Sequence, residues 1–231
     1  MTWTVSSSKY IQDSVRNLER KLEEKGLKVR PNLRSPMTAN YRPELDSSAE
    51  LVVEDAALYQ SLIGSMRWMV EKGRIDIWCE VSMLSSFVVM PREGHLQQIY
   101  HIYGYLKSHH NARIMLDPIY PEVSQDDFPQ NDWENFYKVE EEPKSPHAPA
   151  PLGLELVIRE FVDADHAGYR ISRRSRSGFI VFANMAPVYW MSKKQPGVET
   201  STFGSEFLAM KHACDYLRGL RYKIKMMGIP L

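Results

Sequence analysis

No run of apolar residues in the chain approaches the ~20 needed to cross a bilayer as a helix. The first ten residues, Met1 to Tyr10, are polar and lack the apolar core of a signal peptide. An intracellular chain, cytoplasmic or nuclear, is therefore expected, with no membrane partner. Cysteine is scarce. Cys79 and Cys214 are far apart and follow no metal spacing, which excludes a disulfide framework and a thiolate cluster; two buried thiols in a reducing compartment are expected. Net charge is absent as well: 29 Lys and Arg offset 29 Asp and Glu, so the overall balance argues neither for nor against nucleic acid. His95 and His101 share no helical face and His109 and His110 diverge, so structural or surface roles are expected for them.

What the chain does have is uneven charge and helical periodicity. Residues 1–35 carry eight bases and four acids. Within them, residues 8–25 read as a helix with Ile11, Val15, Leu18 and Leu22 on one stripe and Gly26 as its stop. Pro31, Pro36 and Pro43 mark a loop. Further helices are expected over 54–72, 76–89 and 94–108, which makes a small bundle of residues 1–116. Residues 117–152 hold seven of the fourteen prolines and nine acids against two bases; this reads as an acidic linker, with Phe128, Trp133, Phe136 and Tyr137 able to dock on a neighbouring domain. Residues 153–231 reverse the charge, with twelve bases and seven acids.

That last segment is organised around Phe161–Gly168 (FVDADHAG). β-Branched residues before it predict a strand, and a carboxylate at a strand's end is costly unless it meets water, a donor or a cation. Residues 178–183 and 187–191 read as two more strands, antiparallel because their connections are short. A helix follows Thr202, its apolar stripe expected at Phe203, Phe207, Met210, Cys214, Leu217 and Ile224, widened by Ala213 and Leu220. Glu206 falls in the first turn of that stripe. Either it complements the helix dipole, or it points at the sheet and shares a divalent metal with Asp163. Arg170, Arg173, Arg174 and Arg176 lie in the connection after the first strand, and Lys193 and Lys194 follow the third. They are either solvated loop charges or phosphate contacts that hold a duplex without reading its sequence.

Four stretches, FVDADHAG (161–168), RRSRSG (173–178), WMSKKQ (190–195) and TSTFGSEFLAM (200–210), resemble the ribonuclease H domain of copia-type retrotransposon reverse transcriptases in order and spacing. Tyr59, Leu62, Gly64, Trp68, Arg74, Asp76, Pro91, His95 and Tyr105 resemble the thumb and connection region of the same family. The resemblance implies an α+β chain: a helical thumb- and connection-like region (1–116), the linker (117–152) and an incomplete ribonuclease H-like domain of three antiparallel strands plus a long helix (153–231). It also implies hydrolysis of the RNA strand of an RNA–DNA hybrid. Asp163 and Glu206 are then the first two of four acidic ligands for two Mg²⁺ ions. Asp165, nearby in sequence, is expected to support them, and the charges of Arg173, Arg174, Arg176, Lys193 and Lys194 are expected to contact nucleic acid.

The family's third and fourth acids and its polymerase palm have no counterpart in the sequence. The chain is therefore expected to be a slice of a longer polyprotein, with the missing segments as further partners, and to be inactive alone. Without a fourth strand, the first strand is expected to show an unpaired edge. A non-catalytic nucleic-acid-binding remnant or co-opted module is the alternative.

Overall fold

The computed structural model describes residues 3–122, 135 and 146–231. Helix α1 (Ser8–Glu23) forms as its stripe predicts: Ile11, Val15, Leu18 and Leu22 are buried, and Gly26 ends the turn at φ +69°. Several charges on and just after it are paired, Glu19 with Lys107 at 2.6 Å, Arg16 with Asp13 and Lys25 with Asp55. Helix α2 (Val53–Glu71) and helix α4 (Glu93–Ser108) pack with it around Tyr59, Met66, Met69, Ile99, Ile102 and Tyr103.

The single helix expected over 76–89 is broken into a 3₁₀ turn (Ile75–Ile77), helix α3 (Trp78–Leu84) and a second 3₁₀ turn (Ser85–Phe87). Side chains take the carbonyls that a continuing helix would use: Ser85 Oγ donates to the Val81 carbonyl at 2.6 Å, and the Tyr59 hydroxyl donates to that of Leu84 at 2.7 Å. His95 is buried with a structural role. Its Nδ1 accepts from the Arg92 N–H at 3.1 Å, which leaves Nε2 to donate to the Pro43 carbonyl at 2.9 Å. Two short strands escape the sequence pattern. Strand β1 (Trp3–Val5) pairs antiparallel with strand β2 (Ile114–Leu116) and ties the start of the chain to the segment after α4.

Strands β3 (Ile158–Asp165), β4 (Arg176–Ala183) and β5 (Ala186–Lys194) form one antiparallel sheet in the order β3–β4–β5. Asn184 turns the β4–β5 hairpin at φ +54°, a conformation asparagine tolerates better than most residues. Its amide accepts from the Val157 N–H at 3.0 Å and donates to the Pro118 carbonyl at 2.9 Å. Among the described residues, no strand pairs with the outer edge of β3. Most of the acidic linker, including Phe128, Trp133, Phe136 and Tyr137, lies outside the described residues. Its flanks are held. Tyr120 donates to the Glu155 carbonyl at 2.8 Å, and the N–H groups of Leu152 and Leu156 bond to the carbonyls of Gly228 and Pro230.

Helix α5 (Thr202–Met226) starts at Ser201, whose hydroxyl accepts from the Gly204 N–H at 3.1 Å. It covers one face of the sheet with part of the expected stripe, Ala213, Leu217, Leu220 and Ile224, but not with its first half. Ser205, Ala209, Ala213 and Ile224 are buried, with Tyr216, Leu217 and Leu220 packed beside Phe179 and Val181. Phe203, Phe207 and Met210 are exposed, as is Cys214. Small residues let the helix approach the sheet closely, whereas the large apolar ones lie a third of a turn away. Cys79 is exposed too, so the expectation of two buried thiols fails for both.

One acid lies in this sheet–helix interface. Glu160 alternates with Ile158 and Val162 toward α5, pairs across the strand with Val181, and has a buried Oε1 with no hydrogen-bond partner. Burial pushes its carboxyl up to about 7. The folded chain therefore holds this proton more tightly than the unfolded chain does. Its favourable contribution is complete below the unfolded value near pH ~4.3 and is lost as pH rises through about 7. Glu160→Gln is expected to raise the melting temperature at pH 8 and to leave it almost unchanged at pH 4. Melts across that range check this, and a gap independent of pH would contradict it.

Candidate nucleic-acid interface

The four sequence stretches are joined by a buried polar network. Ser175, Ser177, Gln195 and Ser205 are each at most 1% exposed. The Gln195 amide donates to Ser177 Oγ and to the Ser205 carbonyl, both at 2.9 Å, while Ser175 Oγ accepts from the Ala167 N–H at 3.0 Å. His166 Nδ1 lies 3.2 Å from Ser205 Oγ. The end of β3, the ends of β4 and β5 and the first turn of α5 are thereby held at one place. The sequence reading missed this network, because serine and glutamine give no periodic signal. Their only mark was membership of the quoted stretches.

Asp163 and Glu206 sit on these converging elements but not on one face. Strand alternation sends Val162 and Ala164 toward α5 and Asp163 away from it, where Asp163 is exposed and pairs across the strand with Gly178. Glu206 rides on α5 itself, half-buried beside Ser205. Among the described residues, no three His, Cys, Asp or Glu side chains converge into a group able to hold a metal ion. Among the described residues the donors therefore do not complete a two-ion magnesium site, which needs several carboxylates around both ions.

Asp165 shares the outer face with Asp163 and pairs across the strand with Arg176. Its carboxylate lies against Gly168, where a Cβ would come within 1.8 Å of Oδ2, so a side chain at 168 would displace the acid. The following turn is tight. The Tyr169 N–H bonds to the Arg174 carbonyl at 3.1 Å, the Arg173 N–H to the Tyr169 carbonyl at 2.7 Å, and Arg173 adopts φ +56°.

The basic residues divide into two sets. Arg174, Arg176 and Lys194 line a cleft between the sheet and the helical half, together with Arg42, Glu44 and Tyr169. Arg173 and Lys193 are exposed and do not line it. Arg176 bridges the two halves: its guanidinium donates to Ser82 Oγ at 2.8 Å, and that hydroxyl donates to the Ser192 carbonyl at 2.7 Å. Trp190, on the same face of β5, packs against the helical core. The Lys194 ammonium stands 3.9 Å over the Tyr169 ring. Burial first, then the charges of Arg174 and Arg176, push its pKa below the usual lysine value.

No family model and no solved structure matches the chain. Curated proteins do. It is 26% identical over 197 residues to the retrovirus-related Pol polyprotein from transposon RE1 of Arabidopsis thaliana, a match that covers 85% of this chain and 11% of that protein. It is 25% identical over 146 residues to the putative transposon Ty5-1 protein of Saccharomyces cerevisiae, covering 63% of this chain and 36% of that protein. It is also 26% identical over 155 residues to secreted RxLR effector protein 161 of Plasmopara viticola, covering 67% of this chain and 85% of the effector. The chain thus spans about a tenth of the length of the RE1 and RE2 polyproteins it matches. By sequence it is a homologue of one segment of the Pol polyproteins of copia-type retrotransposons.

Proposed function

We propose that this chain is a nucleic-acid-binding segment of the retrotransposon Pol type, which grips the backbone of an RNA–DNA hybrid and does not cleave it alone. The observation that carries this reading is the gathering of Arg174, Arg176 and Lys194 at the ends of β4 and β5, against the helical half. Clustered cations bind a phosphate backbone by releasing its counterions, which requires no base contacts. In the ribonuclease H reading, Asp163 and Glu206 are the magnesium ligands, Asp165 supports them, and a complete site needs acids from elsewhere in a polyprotein. The matched stretch makes up most of the effector, so a segment of this kind occurs outside a full-length polyprotein.

Fluorescence anisotropy with a labelled RNA–DNA hybrid tests the binding. The expected result is affinity that falls steeply with salt. Incubation of the same hybrid with magnesium tests the rest: the strand is expected to stay intact. Magnesium-dependent cleavage that Asp163→Asn abolishes would overturn the non-catalytic reading, and a hybrid left unbound at low salt would overturn the binding.

A further inference from the structure

The cleft between the two halves holds more positive charge than it neutralises. Arg42, Arg174 and Lys194 line it, and among the described residues none of the three lies within ion-pair distance of a carboxylate. Its two acids, Glu44 and Asp165, offset only part of the charge of Arg42, Arg174, Arg176 and Lys194. The Glu44 carboxylate accepts from the Arg170 N–H at 3.1 Å, which pins the 169–174 turn to the helical half, and the Asp165 carboxylate lies against Gly168. Arg176 is already spent on Ser82. Tyr169 lies under the Lys194 ammonium and restricts where it can point. Like charges that outnumber their counter-charges repel one another, and an anion relieves that repulsion. The interior is narrow. About 20 Å³ of it is open to the centre of a water-sized group, which admits the oxygens of an anion.

We propose that this cleft is a composite oxyanion site: a single phosphate of a nucleic-acid backbone presents its oxygens to Arg42 from the helical half and to Arg174 and Lys194 from the sheet. The site rests on the binding reading above and goes further, since it assigns Arg42 and makes both halves necessary. An occupied site joins the 41–44 segment to the β4 and β5 ends, so the anion also stabilises the junction. Arg173 and Lys193 contribute only diffuse attraction from outside.

Two measurements on the full chain test the proposal. The first is thermal melting with inorganic phosphate. A ligand that binds only the folded state raises the melting temperature with its concentration, here by roughly 3–6 °C at about ten times its dissociation constant. Arg42→Gln and Arg174→Gln are each expected to abolish that rise, whereas Arg173→Gln keeps it. The second is hybrid binding against salt. Each cleft substitution is expected to lower affinity about tenfold at 0.1 M salt and to reduce the salt slope by about 1. A phosphate shift that is absent in the unmodified chain, or unchanged by Arg42→Gln, overturns the composite site even if hybrid binds. A phosphate shift that depends on Arg42 supports the site even if hybrid does not bind, so the two readings fail separately.

Discussion

Asp76→Ala is expected to lower the unfolding free energy by about 3 kcal/mol, the cost typical of stranding one member of a buried ion pair. Arg74 follows the end of α2, and its side chain is 1% exposed. Its Nε and Nη2 donate to the two Asp76 oxygens at 2.9 and 2.7 Å, and the Tyr105 hydroxyl of α4 adds a third bond to that carboxylate at 3.0 Å. Without the carboxylate, a guanidinium remains buried with no counter-charge, and its Nη1 already lacks a partner. Arg74→Met is expected to cost less, about 1–2 kcal/mol, because the carboxylate it strands is 33% exposed and can hydrate. Urea titrations of both variants and the double variant check the order, and equal losses would contradict this account.

The same pair sets an acid dependence. Burial pushes the Asp76 carboxyl up, but the Arg74 fork and charge and the Tyr105 hydroxyl outweigh it and hold the carboxyl below its usual value. A depressed folded value means that the contribution is present above the unfolded pKa of ~3.9 and is lost as pH falls through the folded value. The gap between the unmodified chain and Asp76→Ala should therefore narrow on acidification. The loss reaches the candidate site as well. The pair fixes the corner from which α3 departs, and Met83 of α3 with Ser86 and Phe87 just after it form the helical wall of the cleft.

Helices with a large apolar stripe and a charged outer face were legible from the sequence. In α1 the stripe Ile11–Val15–Leu18–Leu22 and the buried stripe coincide. Helix α5 was legible as a helix but not in its rotation. In its first half the packed face is Ser205, Ala209 and Ala213, where periodicity weighted by apolar size selects Phe203, Phe207 and Met210; further along, Leu217, Leu220 and Ile224 were selected and do pack. Close helix–sheet packing favours small residues, and the pattern of large ones then reports a different face. Strands β1 and β2 were invisible because each has three residues and their pairing spans the whole helical half.

The candidate site divides in the same way. Arg174, Arg176 and Lys194 stand in stretches that local reading singled out. Arg42 and Glu44 do not: the bond from the Arg170 N–H to Glu44 joins residues 126 positions apart, and nothing local marks Glu44 as its acceptor. Strand parity was the information that bore on Asp163 and Glu206. Knowing that Val162 packs toward α5 fixes Asp163 on the other face, a distinction that required the register and not the composition. A carboxylate pair inferred from spacing therefore became two acids on adjoining elements, while the polar residues around them became the structural joint.

Gly104→Ala is expected to destabilise the chain by about 2 kcal/mol, although alanine favours a helix over glycine by ~1 kcal/mol. Gly104 is buried inside α4, where the helix passes the backbone of the 30–33 segment. A Cβ there would stand 2.2 Å from the Arg30 carbonyl oxygen and 2.8 Å from Leu33 Cδ1. The first of these atoms is backbone and cannot swing aside, so either α4 or the segment must move. Gly64 in α2 and Gly219 in α5 are also helical, but a Cβ at either meets nothing within 4 Å. There the helix preference acts alone, and Gly64→Ala and Gly219→Ala are expected to stabilise by roughly 0.5–1 kcal/mol each. At this chain length the opposite signs separate the melting temperatures by roughly 5–10 °C, well within calorimetric resolution. If all three substitutions stabilise alike, the contact between α4 and the Arg30 backbone is not a close one. If Gly104→Ala alone destabilises, the glycine is kept for the approach of Arg30, and the segment that leads to Arg42 is held against α4 by that same approach.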